Sequence, residues 1–146
     1  MLGAGYTGLS AALHSAECGY KVVVIEAHRV GWGASGRNGG QLITGYNWSI
    51  ETIGRWVGPG DARLLWELSV EAKRLVTNIV TRHGIACALT PGHIFAALKP
   101  RQMAGLEDMN REWRSLGHDS AILLDRPEMR ARIGSESYMG GLYDPE

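Results

Sequence analysis

The chain has 146 residues, with 15 basic and 15 acidic side chains and a formal net charge of zero. This length allows one sizeable core, and the balanced charge gives no long-range field that would favour nucleic acid or an anionic membrane as a partner. The 20 glycines are about double the average usage of roughly 7%, which indicates tight turns and close approach of backbone segments.

The first elements predict a parallel α/β unit. A helix over residues 7–17 is predicted by apolar residues at helical spacing, with Gly19 as its C-terminal cap: Leu9, Ala12, Leu13 and Ala16. The β-branched run within residues 21–25 predicts a strand buried on both faces, and it ends at Glu26. Residues 31–45 are rich in glycine and polar residues and predict a long ordered loop.

The longest predicted helix covers Asp61–His83, and Gly84 follows it as a stop signal. Its predicted buried stripe consists of Leu64, Leu65, Leu68, Ala72, Leu75, Ile79 and Val80. Three aromatic residues near this region, Tyr46, Trp48 and His93, are interpreted as core residues rather than as pocket lining.

The remaining segments predict a mixture of short strands and helices. Strands over 86–90 and 93–98, joined by a turn at Pro91-Gly92, form a predicted hairpin. Further elements are predicted as an amphipathic helix over 101–116, a strand over 121–124, a helix opened by Asp125-Arg126-Pro127-Glu128 and a strand over 138–143. The fold class is therefore α/β, a parallel α/β layer with α+β elements inserted.

Other residue types give no sign of a metal or a membrane span. Cys18 and Cys87 are far apart, and the five histidines show no paired ligand spacing, so no metal site is predicted. No apolar run reaches the roughly 18 residues of a spanning helix, and no signal peptide precedes the first motif. We therefore expect a cytoplasmic protein without a membrane span.

The string GAGYTG places Gly3, Gly5 and Gly8 in the spacing of a dinucleotide fingerprint. The first glycine allows a tight turn, the second lets the backbone approach a pyrophosphate, and the third lets helix and strand pack closely. The helix that begins near Thr7 directs its free N–H groups toward the phosphates. A glycine-rich turn before an ordinary helix is the alternative interpretation.

Glu26 follows the fingerprint by about 20 residues, where an acid binds the ribose hydroxyls. A solvated charge at a strand end is the alternative. An acid at this position favours FAD or NAD over NADP.

A second cluster, residues 33–41, has the sequence GASGRNGGQ. Consecutive small residues expose backbone N–H donors that bind anions. Ser35 adds a hydroxyl, and Arg37 adds a guanidinium suited to phosphate. A flexible surface loop is the alternative interpretation.

At these two clusters the chain resembles the FAD-dependent amine and amino-acid oxidoreductases of the D-amino-acid oxidase type. The strings GAGYTGLSAALH, VVVIEA, GWGASGRNGGQL and SYMGGLYDP resemble the γ-glutamylputrescine oxidase-like branch, in order and spacing. Because these strings reach both ends of the chain, the resemblance covers essentially all of it.

The resemblance implies an FAD/NAD(P)-binding Rossmann-like domain over residues 1–58 and a segment over 59–146 that leads into the substrate domain. Gly3, Gly5 and Gly8 would hold the pyrophosphate, and Glu26 the ribose. Ser35 and Arg37 would support the ADP half. The remaining implied cofactor-binding residues, of which the last four lead toward the flavin ring, are Tyr6, Thr7, Ala27, Asn38, Gly39, Gly40, Gln41 and Leu42.

The implied activity is oxidation of a small-molecule amine or amino acid by hydride transfer to FAD, with reoxidation by oxygen. Some related branches attach FAD through histidine or cysteine, and the loop at 33–42 has neither, so non-covalent FAD is implied.

Only Met1 and Leu2 precede the fingerprint, where a Rossmann strand of about five apolar residues is expected. We therefore expect a chain truncated at both ends, with the catalytic residues outside it and no turnover of its own. Two alternatives stay open: an NAD-linked dehydrogenase, and a non-catalytic cofactor-binding remnant.

Overall fold

A computed structural model describes all residues from Met1 to Glu146 and shows a chain of mixed helix and strand. The chain divides into two compact units, Met1–Leu42 and Ile43–Glu146. Residues 43–58 pack with the long helix of the second unit, so the structural division falls before the predicted one. The assignment of 1–58 and 59–146 to two functional domains stays a prediction. None of the helices is both long and apolar enough to cross a membrane.

The first unit contains one α-helix, α1 (Tyr6–Glu17), and a single 3-10 turn, Ala34–Gly36. Helix α1 confirms the predicted helix over 7–17. Gly19 has a φ of +86°, and its N–H donates to the Ala16 carbonyl at 2.9 Å, so it ends the helix as predicted.

The predicted strand over 21–25 is reduced to one parallel bridge between Leu2 and Ile25. Around this bridge Gly3 N–H donates to the Ile25 carbonyl at 2.8 Å, and Ile25 N–H donates to the Met1 carbonyl at 3.0 Å. Burial on both faces is wrong, because Val23 is 71% exposed and Ile25 is 61% exposed. A strand is buried on both faces only when other elements, usually helices, cover those faces, and the single bridge from Leu2 covers neither face.

The second unit contains four helices and three strands. The helices are α2 (Ile50–Val57), α3 (Pro59–Arg82), α4 (Pro100–Ser115) and α5 (Arg126–Ile133). The strands are β1 (His93–Ala97), β2 (Ile122–Leu124) and β3 (Gly140–Asp144). They confirm the predicted helices over 61–83 and 101–116, the helix that opens at Asp125, and the strands near 93–98, 121–124 and 138–143.

Helix α2 was not predicted, although its signals are local. The Ser49 hydroxyl accepts a hydrogen bond from Thr52 N–H at 3.2 Å, as an N-cap does. Ile50 and Ile53 are buried, and the helix ends at Gly58, whose φ is +91°. A Glu112 carboxylate oxygen on α4 accepts from Glu51 N–H at 2.8 Å, which ties the start of α2 to α4.

The predicted buried stripe of α3 is wrong. Leu64 is 63% exposed and Leu68 is 56% exposed, whereas Ala62 and Trp66 are buried at 1% and 3%. Ala62 and Trp66 enter the core, and Leu65 and Val70 pack against it, whereas Leu64 and Leu68 lie on the opposite face. Because both faces of α3 carry apolar residues, helical spacing alone does not tell which face is buried.

The three strands form one antiparallel sheet in the order β1-β3-β2. In the central strand, Leu142 lies opposite both Phe95 of β1 and Leu123 of β2. The predicted hairpin at Pro91-Gly92 is therefore wrong, because β1 pairs with a strand much later in the chain. Residues 86–90 form no strand, and within them Ala88 has a left-handed φ of +52° that interrupts an extended run.

Two glycines in β3 allow helices to pack directly on its backbone. A Cβ atom on Gly140 would lie 2.7 Å from the Met103 sulfur of α4, and one on Gly141 would lie 2.7 Å from the Met129 sulfur of α5. Successive residues of a strand face opposite sides of the sheet. Helices α4 and α5 therefore cover the two faces of β3, each through a methionine.

The core of the second unit lies where α2, α3 and α4 meet the sheet. Trp66 and Trp113 are 6.0 Å apart between ring centroids, and Phe95 packs edge-on against Trp113 at 5.9 Å. The core residues are Ile50, Ile53, Ala62, Trp66, Trp113, Ala121 and Leu142. Tyr46 and Trp48 are 46% and 61% exposed, so their interpretation as core residues is wrong.

We predict that Gly141→Ala destabilises the second unit by about 2 kcal/mol, as overpacking does. The added methyl group would also lie 2.9 Å from the Phe95 carbonyl oxygen. A backbone atom in a sheet cannot move aside as the end of a flexible side chain can. Urea unfolding followed by tryptophan fluorescence measures the change, because Trp66 and Trp113 report on this core.

The matched control is Gly105→Ala in α4, where the added methyl group meets no atom within 4 Å. Alanine is favoured over glycine in a helix by about 1 kcal/mol, so this variant is expected to be more stable than the parent chain. Equal stabilities for the two variants would contradict the packing of α5 on Gly141.

Candidate cofactor-binding site

The fingerprint glycines form a turn that leads directly into α1. Gly3 has a φ of +92°, and no atom lies within 4 Å of the position that its Cβ would take. Gly5 is the N-cap of α1. A Cβ on Gly8 would overlap the carbonyl oxygen of Gly3, so the first turn of α1 lies against the backbone of the turn. Gly3 and Gly8 therefore require glycine, Gly3 for its positive φ and Gly8 for the close contact, whereas a Cβ on Gly5 would lie 3.0 Å from the Ser35 hydroxyl oxygen.

The N-terminus of α1 has little internal compensation for its positive dipole end. Gly5 supplies no capping side chain, and the first turn has no acidic residue. The Ser35 hydroxyl accepts a hydrogen bond from Tyr6 N–H at 3.0 Å. Thr7 and Gly8 are the next residues of this first turn, whose N–H groups have no partner within the helix. Such an end binds anions.

The Glu26 carboxylate closes the turn from the other side. One oxygen accepts from Ala4 N–H at 2.7 Å, and the other accepts from His28 N–H at 3.0 Å. The Ala4 hydrogen bond, followed by that of His28, lowers the pKa of Glu26 below its ordinary value of 4.5. A carboxylate has about four lone-pair sites, so the backbone N–H groups of Ala4, His28 and Ala27 leave room for a further donor. Ala27 follows it as an exposed residue.

The segment after Glu26 returns to the fingerprint turn. Gly31 N–H donates to the Ala4 carbonyl at 2.9 Å, so Ala4 is held through both its N–H and its carbonyl. A Cβ on Gly36 would overlap the Gly31 carbonyl oxygen, which shows that the loop folds tightly on itself. This segment is thus an ordered loop, as predicted, rather than a flexible one.

Asn38 fastens the end of this loop. Its side-chain nitrogen donates to the Tyr6 hydroxyl at 2.9 Å and to the Ser35 carbonyl at 3.0 Å. Its side-chain oxygen accepts from Gly40 N–H at 2.9 Å. The predicted residues Ser35 and Asn38 therefore both contact the first residue of α1.

The structure places Arg37 over an aromatic ring. Its guanidinium lies 4.7 Å from the centroid of Trp32, and the Arg29 guanidinium lies 5.0 Å from the same centroid. Beyond Asn38, the Gln41 side chain folds back over Gly39, and Leu42 ends the unit. Four predicted residues, Gly39, Gly40, Gln41 and Leu42, thus follow the loop and have no recorded hydrogen bond to the fingerprint turn.

Sequence reasoning missed three contributors to this site. Ala4 is held by Glu26 and by the amide of Gly31, and its side chain is 1% exposed. Trp32 and Arg29 form a cluster with Arg37, which the pattern of residue types along the sequence does not predict. The available signal was a tryptophan with an arginine shortly before it and another shortly after it.

A second polar cluster lies in the other unit. Asp144 and His118 are buried, and a carboxylate oxygen of Asp144 lies 3.2 Å from His118 Nε2. The Ser120 hydroxyl lies 3.4 Å from the same Nε2 atom. A serine–histidine–aspartate relay needs the two partners on different ring nitrogens, so this cluster lacks the geometry of a hydrolase triad.

The first unit therefore presents a glycine turn, a helix N-terminus with no acidic residue in its first turn, and the carboxylate of Glu26 bound to that turn. These features fit the ADP half of a dinucleotide, because they offer donors to its diphosphate and an acceptor to its ribose.

Comparisons with known proteins agree with this chemistry. The chain is 42% identical over 144 residues to the gamma-glutamylputrescine oxidoreductase of Escherichia coli, which covers 99% of this chain and 34% of that protein. It is 39% identical to a probable oxidoreductase, OrdL, of Haemophilus influenzae, and 37% identical to a protein of the same description from Rhizobium meliloti, with the same coverage. The chain thus spans about a third of the length of these relatives.

A family comparison covers nearly the whole chain. Residues 2–146 match the family described as FAD dependent oxidoreductase (DAO), so the match includes both structural units and every residue of the fingerprint turn. The chain therefore belongs to the family of FAD-dependent oxidoreductases.

Proposed function

We propose that the first unit holds the ADP half of FAD without a covalent bond, within an enzyme that oxidises an amine or amino acid. The observation that carries this proposal is the turn at Gly3–Gly8. Glu26 and Ser35 hold it from two sides, at Ala4 N–H and Tyr6 N–H, and the start of α1 has no acidic residue.

Each group has a distinct task in this proposal. The first-turn N–H groups of Thr7 and Gly8 donate to the diphosphate, while Ser35 keeps the N-terminus of α1 in place. The remaining lone-pair site of Glu26 accepts from a ribose hydroxyl. Arg37 supplies positive charge to the ADP half, and residues 39–42 lead toward the flavin ring. We assign no catalytic residue within this chain.

The FAD, when bound, supplies the redox chemistry by accepting a hydride from the carbon beside the amine, with dioxygen as the reoxidant. The residues of this chain bind and orient the cofactor. An amine substrate is supported by the Escherichia coli relative, whose name specifies γ-glutamylputrescine. Membership of an FAD-dependent family favours FAD over the NAD of the alternative dehydrogenase.

We predict that Gly8→Ala weakens FAD binding to the chain by about tenfold or more. The added methyl group collides with the Gly3 carbonyl and forces α1 away from the turn, at a cost typical of overpacking, about 1–3 kcal/mol. Titration with FAD, followed by flavin fluorescence, measures the affinity.

Gly105→Ala is the matched control, because its added methyl group meets no atom within 4 Å and it lies in α4 of the second unit. It is expected to bind FAD as the parent chain does. Equal binding of FAD and FMN by the parent chain would contradict the proposal, because FMN lacks the ADP half.

We also predict that Glu26→Gln weakens the binding of ADP-ribose. The same variant should reduce the preference for ADP-ribose over its 2′-phosphorylated analogue. Glutamine keeps one acceptor oxygen where the carboxylate has two, and it removes the negative charge that repels a 2′-phosphate. Isothermal titration calorimetry with the two ligands measures both effects. Glu107→Gln, on the exposed surface of α4, is the control that should change neither.

The Glu26 carboxylate also determines how the affinity for ADP-ribose depends on pH. Because its pKa is lowered, Glu26 is ionised throughout the neutral range, and its bonds to Ala4 and His28 are present above its ordinary value of 4.5. Affinity for ADP-ribose should be constant from pH 6 to 8 and should fall only as the pH drops below that ordinary value. A loss of ADP-ribose affinity with its midpoint between pH 6 and 8 would argue against the role assigned to Glu26.

The amine-oxidase part of the proposal needs a protein as long as the relatives. Joining residues 2–146 to the remaining two-thirds of the Escherichia coli relative provides one. We expect amine-dependent formation of hydrogen peroxide together with a bound flavin. Turnover that required NAD and retained no flavin would refute this assignment.

A further inference from the structure

Trp32 is an exposed loop residue that nevertheless makes specific contacts. The ring is 41% exposed, yet it has a guanidinium within 5.0 Å of its centroid from each of two arginines, Arg29 and Arg37. The His28 ring lies 5.1 Å from it as well. An aromatic face attracts cations through its quadrupole.

This cluster is fastened to the fingerprint turn on both sides. Immediately before Trp32, Gly31 N–H donates to the Ala4 carbonyl at 2.9 Å. Shortly after it, the Ser35 hydroxyl accepts from Tyr6 N–H at 3.0 Å. Trp32 N–H itself donates to the Arg29 carbonyl at 3.0 Å, which closes a turn that brings Arg29 back to the ring.

The two guanidiniums repel each other, and the structure records no carboxylate paired with either of them. Their repulsion is offset in part by the shared ring, which attracts each cation by about 0.5–1 kcal/mol at an exposed site. Two unpaired guanidiniums, on a loop that is hydrogen-bonded to the turn before α1 and to its first residue, make a region whose natural counter-charge is an anion.

We infer that Trp32 is a positioning residue that gathers Arg29 and Arg37 into one joint site for the diphosphate of the bound dinucleotide. This inference rests on the proposed function and adds to it the residue that aligns the two charges. Trp32 acts on the ligand through the arginines, so its loss should affect the diphosphate and spare the nucleoside.

The test measures binding of ADP and of adenosine to the full chain and to four variants: Trp32→Leu, Trp32→Phe, Arg29→Ala/Arg37→Ala, and the latter combined with Trp32→Leu. Trp32→Leu should weaken ADP binding about fivefold and leave adenosine binding unchanged, and its ADP affinity should depend less steeply on salt. The loss of ADP affinity should be much smaller in Trp32→Phe than in Trp32→Leu, because phenylalanine keeps an aromatic face.

The combined variant distinguishes positioning from direct contact. If Trp32 acts through the arginines, Trp32→Leu causes no further loss of ADP affinity once both arginines are alanine. Circular dichroism of each variant checks that the fold is retained, and Trp32→Phe and the double arginine variant test the inference even if Trp32→Leu unfolds.

Three results would overturn the inference: unchanged ADP affinity in Trp32→Leu, an equal loss for ADP and adenosine, or a full further loss in the combined variant. The last two would mean that Trp32 contacts the nucleoside itself or acts independently of the arginines. Failure of the parent chain to bind ADP or FAD is a separate outcome, which overturns the proposed function and this inference with it.

Discussion

The first unit depends on one close backbone contact, that of Gly8 with the carbonyl of Gly3. Because no side chain separates them, the first turn of α1 begins directly beside the glycine turn. This position brings Tyr6 N–H to Ser35 and Ala4 N–H to Glu26, at 3.0 and 2.7 Å. The segments that supply Glu26 and Ser35 are distant in sequence, so the contact organises a site that none of the three segments forms alone.

Helices were the part of the fold that the sequence predicted best, because their signals are local. Helix α1 is followed by Gly19 with its positive φ, and α5 is preceded by the N-cap Asp125, whose side chain accepts from Glu128 N–H at 2.8 Å. Caps of this kind act within a few residues, so composition near the helix end suffices to predict them. Helix α2 carried similar signals at Ser49 and Gly58 but is short, and the glycine-rich stretch before it obscured them.

Pairing and burial could not be predicted in the same way. The extended run at residues 21–25 has the composition of a buried strand, but burial depends on the elements that cover its faces, and the single bridge from Leu2 covers neither. The partner of β1 lies about fifty residues away in β3, while the nearer turn at Pro91-Gly92 suggested a hairpin. In the site, the fingerprint glycines, Glu26 and Ser35 follow from motif spacing. The role inferred for Trp32 does not, because it depends on where two arginine side chains meet.

The central claim is that the turn at Gly3–Gly8, with Glu26 and Ser35, binds the ADP half of FAD. Nuclear magnetic resonance of the amide groups, with ADP added to the chain, tests it most directly. The account predicts the largest chemical-shift changes at Ala4, Thr7, Gly8 and Ser35, with little change in the sheet of the second unit. Changes centred on His118 and Asp144, with the fingerprint turn unaffected, would contradict it.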